Sequence, residues 1–316
     1  MFKLIKIDFY DEFSCLMANC PDNCCDEDWD IYIDEETIDK YKEMGIPDLD
    51  SKITPTKPHV IIKKDHKCPF ITPEGLCTFH RDYGEEYLSN TCRSYPRFVS
   101  TYGDVYLETL GLSCPATVRC VLEWEFPMVF PERMYYENED ERGQFIGRSE
   151  AEDMSRRVIS RFEPGHSARE IYQTLTDEVM DTEKLVMLLK ENTRNTPSEV
   201  YVNKLFNNSL RINKNELTDT ERRIDECNKL FACNVNRAWL FEHIMLNGKS
   251  ENPNSNNIII HGSIMWTLLV MSIVLSFREN GKIDEDTLTD CCYMIMRICD
   301  HGDSLLARIS EGMGLK

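Results

Sequence analysis

The chain has 316 residues, of which 41% are hydrophobic and 29% charged, a balance that suits one large domain or two ordinary ones with an apolar core. Its formal net charge of −19 argues against nucleic acid and anionic membranes as partners, because both are bound through Lys and Arg that neutralise phosphates. An acidic surface is better suited to a basic partner, such as a protein that presents lysines.

The N-terminus begins MFKLIKIDFY and lacks the apolar core and small-residue cleavage site of a signal peptide. The longest apolar run, from Ile264 to Phe277, has 14 residues and is interrupted by polar ones, so we expect no membrane span. We therefore expect a cytoplasmic protein. In that reducing compartment, clustered cysteines bind metal or perform redox chemistry more often than they form disulfides.

Regular structure is predicted to be short in the first part of the chain. Residues 29–34 alternate apolar and polar side chains, which predicts a strand, and Asp34 or Thr37 then caps a short helix that runs through Tyr41. A β-hairpin is predicted around Gly103, from 98–101 and 105–109.

The next helix is predicted to begin at Cys114-Pro115 and to run through Trp124, because proline suits the first helical position. The chain from Pro127 to Glu150 is polar and reads as a linker or an exposed excursion.

The second part is predicted to be helical. Capping boxes are predicted at Ser167–Glu170 and Thr218–Glu221, and a loop at Asn247–Asn257. The predicted helices cover Thr182–Leu189, Ser198–Leu205, one long stretch from Thr218 to Leu246, Ser263–Phe277 and Asp284–Cys299, with a break at Gly281.

These patterns predict a mainly α protein with a small, irregular, Cys-rich N-terminal module that carries a short β-hairpin and packs on a C-terminal helical domain. The predicted divisions are 1–125 for the Cys-rich metal module, 126–165 for the linker and 166–316 for the helical domain. Nothing in the sequence indicates an oligomeric state.

Eight of the fourteen cysteines crowd into the first third of the chain with spacings typical of metal ligands. The candidate metal ligands are Cys15, Cys20, Cys24, Cys25, Cys68, Cys77, Cys92 and Cys114. Two adjacent cysteines project in different directions, so we expect at least one of Cys24 and Cys25 to have another role.

Three interpretations of this set compete: an iron–sulfur cluster, a zinc site that His66 or His80 could join, and a set of redox or buried thiols. Zinc sites favour paired C-x2-C knuckles, and the sequence has none. The spacing also differs from the common ferredoxin pattern and from the C-x3-C-x2-C run of radical SAM enzymes, because Glu27 stands where the third cysteine would be. Spacing alone therefore leaves iron–sulfur and zinc open.

Three polar residues near these cysteines are further candidates. His80 follows Cys77 by three residues and is either a hydrogen-bonded histidine or a ligand or acid/base group. Arg93 and Arg97 flank Tyr95-Pro96 directly after Cys92; they either pair with nearby carboxylates or place positive charge beside an anionic cluster and bind a carboxylate or phosphate.

Together these motifs resemble the flagellin lysine-N-methylase family. The resemblance is carried by Phe13-x-Cys15-x4-Cys20-x3-Cys24-Cys25, Trp29-x-Ile31-x-Ile33-Asp34, Cys68-Pro-Phe, Gly75-Leu-Cys77-x-x-His80, Cys92-Arg-x-Tyr-Pro-Arg97 and Leu112-Ser-Cys114-Pro. It covers residues 13 to about 123, with weaker echoes at Asn236–Phe241 and at Arg297-x-x-Asp-His301.

The resemblance implies methyl transfer from S-adenosyl-L-methionine (SAM) to lysine side chains of flagellin, in a protein that carries a 4Fe-4S cluster. A Rossmann-type SAM site would need a glycine-rich loop after a first strand, but the single G-x-G lies at Gly312–Gly314. One hypothesis is that the cluster's iron binds the amino and carboxylate groups of SAM, with Arg93 or Arg97 nearby.

Direct transfer to lysine needs a base, because a charged amine is not a nucleophile. The candidate catalytic residues are His80, Tyr95 and His301. Two alternatives come from other classes: a zinc- or iron-chelating Cys-rich binding module without catalysis, whose metal stabilises the loops, and a redox or electron-transfer protein.

Overall fold

A computed structural model of the protein describes residues 1–25, 29–64, 67–136, 150–176, 179–196, 198–206, 212–247, 255–300 and 304–315. The chain divides into two compact units: a smaller one, Ser14–Arg97, and a larger one that combines Met1–Phe13 with Phe98–Lys316. The predicted division into 1–125, 126–165 and 166–316 stays a prediction. In the structure, residues 1–13 and 98–125 belong to the same compact unit as the C-terminal helices.

The smaller unit contains four short helices joined by irregular segments. They are α1 (Glu35–Glu43), α2 (Leu49–Lys52), α3 (Thr78–Tyr83) and α4 (Asn90–Ser94). The side chain of Asp34, one of the two predicted caps, caps α1 by accepting a hydrogen bond of 3.0 Å from the Thr37 amide. The strand predicted over 29–34 is reduced to an isolated bridge between Tyr32 and Val60.

Aromatic and aliphatic side chains form the core of the smaller unit. The rings of Tyr41 and Phe79 stack with their centroids 4.0 Å apart, and Phe70 packs on Phe79 at 4.8 Å. Several cysteines belong to the same core: Cys68 is buried in it, and Cys77 and Cys92 pack against it. Since the helices are short, this shared core is what joins the irregular loops.

A four-stranded sheet lies in the larger unit, with the strand order β2-β3-β1-β4. Its strands are β1 (Phe2–Lys6), β2 (Arg97–Tyr102), β3 (Val105–Leu110) and β4 (Glu132–Tyr135). The predicted hairpin forms as β2 and β3. The strand β1 pairs parallel to β3 and antiparallel to β4. The sequence pattern predicts neither β1 nor β4.

Ten helices follow in the described part of the larger unit. They are α5 (Pro115–Glu123), α6 (Glu150–Ile159), α7 (Ala168–Thr176), α8 (Thr182–Thr193), α9 (Glu199–Leu205), α10 (Lys214–Cys227), α11 (Phe231–Asn247), α12 (Ser255–Asn280), α13 (Glu285–Asp300) and α14 (Leu305–Met313). The mainly α fold class with a small sheet is therefore confirmed. Helix α5 begins at Pro115, as predicted.

The long helix predicted over Thr218–Leu246 is two helices, because α10 ends at Cys227 and α11 begins at Phe231. The capping box is also displaced: Asn213 caps α10 and Glu216 completes the box, whereas Thr218 lies inside the helix. Most of the loop predicted over Asn247–Asn257 lies outside the described residues, and α12 begins at Ser255.

Helix α12 is the central helix of the larger unit and packs against α7, α11 and α13. Among the described helices, α12 is the one that is long and apolar enough to cross a membrane, over Asn257–Asn280. It is also longer than the predicted helix Ser263–Phe277. The protein interior buries 89% of its most apolar stretch, which is the environment of a core helix.

Candidate metal centre

Five thiols converge in the smaller unit, close enough for a charge on one to act on the others. They are Cys24, Cys25, Cys68, Cys77 and Cys92, here called the thiol cluster. Its members come from separate segments. Cys25 and Cys68 are joined by a backbone hydrogen bond of 3.1 Å, from the Cys68 amide to the Cys25 carbonyl. Cys77 immediately precedes α3, and Cys92 lies in α4.

Burial and crowding both disfavour the thiolate form in this cluster. Burial raises the pKa of Cys68 to about 11 and that of Cys92 to about 12, and negative charge on neighbouring cysteines adds to both shifts. For Cys25, a hydrogen bond to Cys24 is the largest cause of a strongly raised pKa, followed by burial. Ionising several of these thiols together therefore requires a compensating positive charge.

Local hydrogen-bond donors act in the opposite direction and favour thiolates. The amides of Phe79 and His80, at the start of α3, donate to the Cys77 sulfur and lower its pKa against the larger effect of burial. The Ser89 hydroxyl does the same for Cys92. Lys63 lies close enough to Cys68 for its charge to lower the pKa of that thiol. Donors directed at sulfur are typical of sites that hold thiolates.

Tyr41 lies beside the thiol cluster, in the same core as Cys68. The ring is 2% exposed, and its hydroxyl donates to the Tyr87 carbonyl at 2.9 Å. Burial, and then charge on Cys92, Cys77 and Cys68, raises the pKa of this tyrosine. Tyr41 therefore stays protonated beside the thiols.

The other three candidate ligands are placed differently. Cys15 is exposed in the smaller unit, and its sulfur accepts a hydrogen bond of 3.4 Å from the Met17 amide. Partial burial of the sulfur, and then charge on Cys24, raise the pKa of Cys15. Cys20 lies in the same unit, where its thiol donates to the Asp22 carbonyl at 3.4 Å. Cys114 belongs to the larger unit, at the N-terminal end of α5.

The donor set fits either an iron–sulfur cluster or zinc by its chemistry, because both are bound by several thiolates. All fourteen cysteines lie in the described part of the chain, and each is a thiol rather than half of a disulfide. Within the described residues, however, no group of three or more His, Cys, Asp and Glu side chains has metal-binding geometry. The thiols are gathered without being arranged as a coordination sphere.

The candidate catalytic residues are spread over different places. His80 lies half-buried in α3, three residues after Cys77. Tyr95 ends α4 and is half-buried, and its ring packs against Trp29 with centroids 5.4 Å apart. His301 and the possible zinc ligand His66 lie outside the described residues. His80 and Tyr95 therefore share the smaller unit with the thiol cluster, and their assignment as bases stays a prediction.

The two arginines proposed to bind SAM differ in exposure. Arg93 is exposed on α4, where its Nη2 donates to the Asn90 side chain at 2.5 Å. Arg97 is half-buried and is both the last residue of the smaller unit and the first residue of β2. Arg93 is thus accessible to an anionic ligand beside the helix that carries Cys92.

Sequence reasoning missed the residues that surround the sulfurs. Ser89 is one for which the sequence held a signal, since a serine three residues before Cys92 is a typical N-cap, and its side chain does accept from the Cys92 amide at 3.2 Å. Tyr41 and Lys63 carry no such local signal, because only the fold brings them to the thiols.

Three relatives from Salmonella are similar to this chain. The flagellar biosynthetic protein FliU of Salmonella muenchen is 26% identical over 156 residues, which are 45% of this chain and 90% of that protein. The lysine-N-methylases of Salmonella typhimurium and Salmonella choleraesuis are each 29% identical over 140 residues, or 40% of this chain. The match covers about a third of each methylase, 34% of its length. No family model and no solved structure matches the chain.

Proposed function

We propose that this protein is a lysine N-methylase that transfers methyl groups from SAM to lysine side chains of flagellin, and that its thiol cluster holds a 4Fe-4S cluster. The observation that carries the proposal is the convergence of five thiols in a chain similar to proteins named lysine-N-methylase. The similarity to a flagellar biosynthetic protein supports flagellin as the substrate.

The chemistry requires a neutral lysine and a methyl donor held in the same site. SAM would supply an electrophilic methyl group: the lone pair of the neutral lysine nitrogen would form the new C–N bond, and the C–S bonding electrons would stay on sulfur, which leaves as a thioether. The chain would have to remove a proton from the substrate ammonium, for which His80 and Tyr95 are the described candidates in the smaller unit. The exposed guanidinium of Arg93 is suited to a carboxylate such as that of SAM.

The net charge of −19 supports a lysine-bearing substrate. Negative potential over the protein surface attracts a basic segment and speeds its encounter. Because the attraction is between charges on the surface, added salt should weaken it.

Two measurements test the proposal. Anaerobically purified protein should show the absorption and electron paramagnetic resonance signals of an iron–sulfur cluster. Incubation with flagellin and SAM should add methyl masses to flagellin lysines, and omission of SAM should abolish them. A colourless, zinc-loaded protein with full activity would reject the iron–sulfur part, whereas an iron-loaded protein that leaves flagellin unmodified would reject the methylase part.

A metal-chelating module without catalysis is the second candidate. The partial match to the lysine-N-methylases leaves room for it, because the aligned segment covers only 34% of each of them. In that case the metal would stabilise the irregular loops of the smaller unit. The chain would then bind flagellin without methylating it, which a pull-down combined with the mass measurement distinguishes.

A further inference from the structure

An open groove lies between two segments of the smaller unit, residues 32–35 and residues 57–59. Its volume of about 440 Å³ is within the range of sites that bind small ligands. The walls are mainly apolar, and the lining residues are Tyr32, Ile33, Asp34, Glu35, Lys57, Pro58 and His59. A mainly apolar groove that also carries charged groups is suited to a hydrocarbon chain with a charged end.

Backbone hydrogen bonds hold the two walls of the groove together. The amide of Ile33 donates to the carbonyl of His59 at 2.9 Å, and Tyr32 forms an isolated β-bridge with Val60. The Thr54 hydroxyl accepts from the Val60 amide at 2.8 Å and so closes the loop between these two residues. Because these bonds form without a ligand, binding in the groove requires little further ordering of the chain.

A lysine of this chain already places an ammonium group at the groove. The Nζ of Lys57 lies 2.6 Å from Oε1 of Glu35. Both side chains are largely exposed, 73% and 59%, and ion pairs of this kind contribute little to stability. An incoming ammonium can therefore replace Lys57 beside the carboxylate, and its hydrocarbon chain would in addition cover the apolar walls.

His59 offers a second acceptor beside this carboxylate. Its Nδ1 donates to the Thr54 carbonyl at 2.8 Å, since a carbonyl can only accept, and in the neutral ring this leaves Nε2 as an acceptor. Nε2 lies 3.6 Å from Oε1 of Glu35. A lysine ammonium has three donors and can satisfy both acceptors at once. The ring of Tyr32, 49% exposed, lines the same groove and attracts cations through its face.

The groove is joined to the helix that carries one thiol of the thiol cluster. The hydroxyl of Thr91 donates to the carbonyl of Tyr32 at 2.8 Å, and the amide of Asn90 donates to the carboxylate of Asp34 at 3.1 Å. Thr91 directly precedes Cys92 in α4. A ligand in the groove therefore contacts residues that are bonded directly to this helix.

We propose that this groove binds a lysine side chain of a basic partner protein. The ammonium would lie between Glu35 and His59 in place of Lys57, and the hydrocarbon chain would pack against Tyr32 and Pro58. The net charge of −19 favours the approach of a basic segment. The inference rests on the proposed function in one respect, since it takes the bound lysine to belong to the protein that is methylated.

A titration of the full-length, reduced protein with a short peptide tests the groove directly. The peptide has one central lysine flanked by glycine and serine, and amide chemical shifts in labelled protein report binding. We expect saturable shifts at residues 32–35 and 57–60. The same peptide with norleucine, which keeps the hydrocarbon chain but lacks the ammonium, should bind about tenfold more weakly, because it loses charge-assisted hydrogen bonds.

Two substitutions in the groove should change the Kd of the lysine peptide in opposite directions. Glu35→Gln should raise it about fivefold, and Lys57→Met, which removes the competing ammonium, should lower it about threefold. The matched control is the exposed pair of Asp39 and Lys42 on α1, with Nζ 3.6 Å from Oδ1 and both residues outside the groove. Asp39→Asn and Lys42→Met change the net charge by the same amounts but should leave the Kd unchanged.

The outcomes separate this inference from the proposed function. Equal binding of the norleucine peptide, or equal effects of the groove and control substitutions, overturns the groove as a lysine site. Because the titration needs neither SAM nor metal, lysine binding by a protein that leaves flagellin unmodified supports the groove and rejects the methylase. Methylation of flagellin with an unchanged KM in Glu35→Gln and Lys57→Met rejects the groove and keeps the methylase.

Discussion

The thiols of the smaller unit are costly as isolated groups. Burial and mutual repulsion raise the pKa of Cys68 and Cys92, whereas Ser89 and the α3 amides favour the charged form of their neighbours. A cation bound by the sulfurs would offset the unfavourable free energy of ionising the buried thiols. The same hydrogen-bond donors would then stabilise the bound thiolates.

Substitution of Cys92 tests this argument at a single residue. Cys92→Ser should lower the metal content of anaerobically purified protein by at least half, because a serine hydroxyl is a poor ligand for a soft metal and leaves one coordination position unfilled. Metal per chain is measured by elemental analysis. Cys120→Ser is the matched control, since Cys120 is half-buried in α5 and outside the eight candidate ligands. Equal metal content in both variants would show that Cys92 is not a ligand.

The sequence could predict eight candidate ligands but not which of them lie close together. Spacing alone selected all five members of the thiol cluster, because close cysteines in irregular, Pro- and Gly-bearing segments are typical of metal sites. It could not show that Cys114 belongs to another compact unit, since the chain of the smaller unit is inserted between β1 and β2. Nor could it find Tyr41, which reaches the sulfurs through tertiary packing.

At the scale of elements, prediction succeeded where the pattern was strong and local. Helix α5 was located by its N1 proline and α1 by its Asp34 cap. Strand β1 was missed because its inward side includes Lys3, which is 2% exposed and paired with the buried Glu152 at 3.0 Å, so the alternation of apolar residues is broken. Strand β4 is mostly exposed and shows no apolar alternation at all.

Helix α10 carries a charge pattern that should make its stability depend on pH. Burial, with the nearby charge of Glu221 as a second cause, raises the pKa of Asp225 to about 6 from an ordinary value of 3.8. The folded protein therefore binds this proton more tightly than the unfolded chain, and stability falls as pH rises from about 4 to about 6.

Asp225→Asn should remove that penalty. We expect it to raise the free energy of unfolding at pH 7 by about 1 kcal/mol, a value reduced for solvent screening of a half-buried group, and to have no such effect below pH 4. Chemical denaturation at several pH values measures this. Asp219→Asn on the same helix should have the opposite sign at pH 7, because Arg223 and Arg222 hold the pKa of Asp219 below its ordinary value. A pH-independent effect of Asp225→Asn would contradict the argument.

At the scale of the whole molecule, the two units differ in what stabilises them. The larger unit has a continuous core of long helices, with α12 at its centre. The smaller unit has helices of four to nine residues, which are too short to be stable by themselves, around a core of which thiols form part. If the thiol cluster holds the proposed metal, the stability of the smaller unit should depend on it far more than that of the larger unit.

Metal removal tests this difference. Treatment of the reduced protein with a chelator under anaerobic conditions should speed amide hydrogen exchange about tenfold or more in peptides from Ser14–Arg97, because the proposed metal centre would join their loops. Peptides from α12 and α13 should exchange as before. In Cys68→Ser, which should hold little metal, the chelator should cause no further change. Equal acceleration in both units would show that the metal stabilises the protein as a whole, and no acceleration in either would show that the thiol cluster is stable without it.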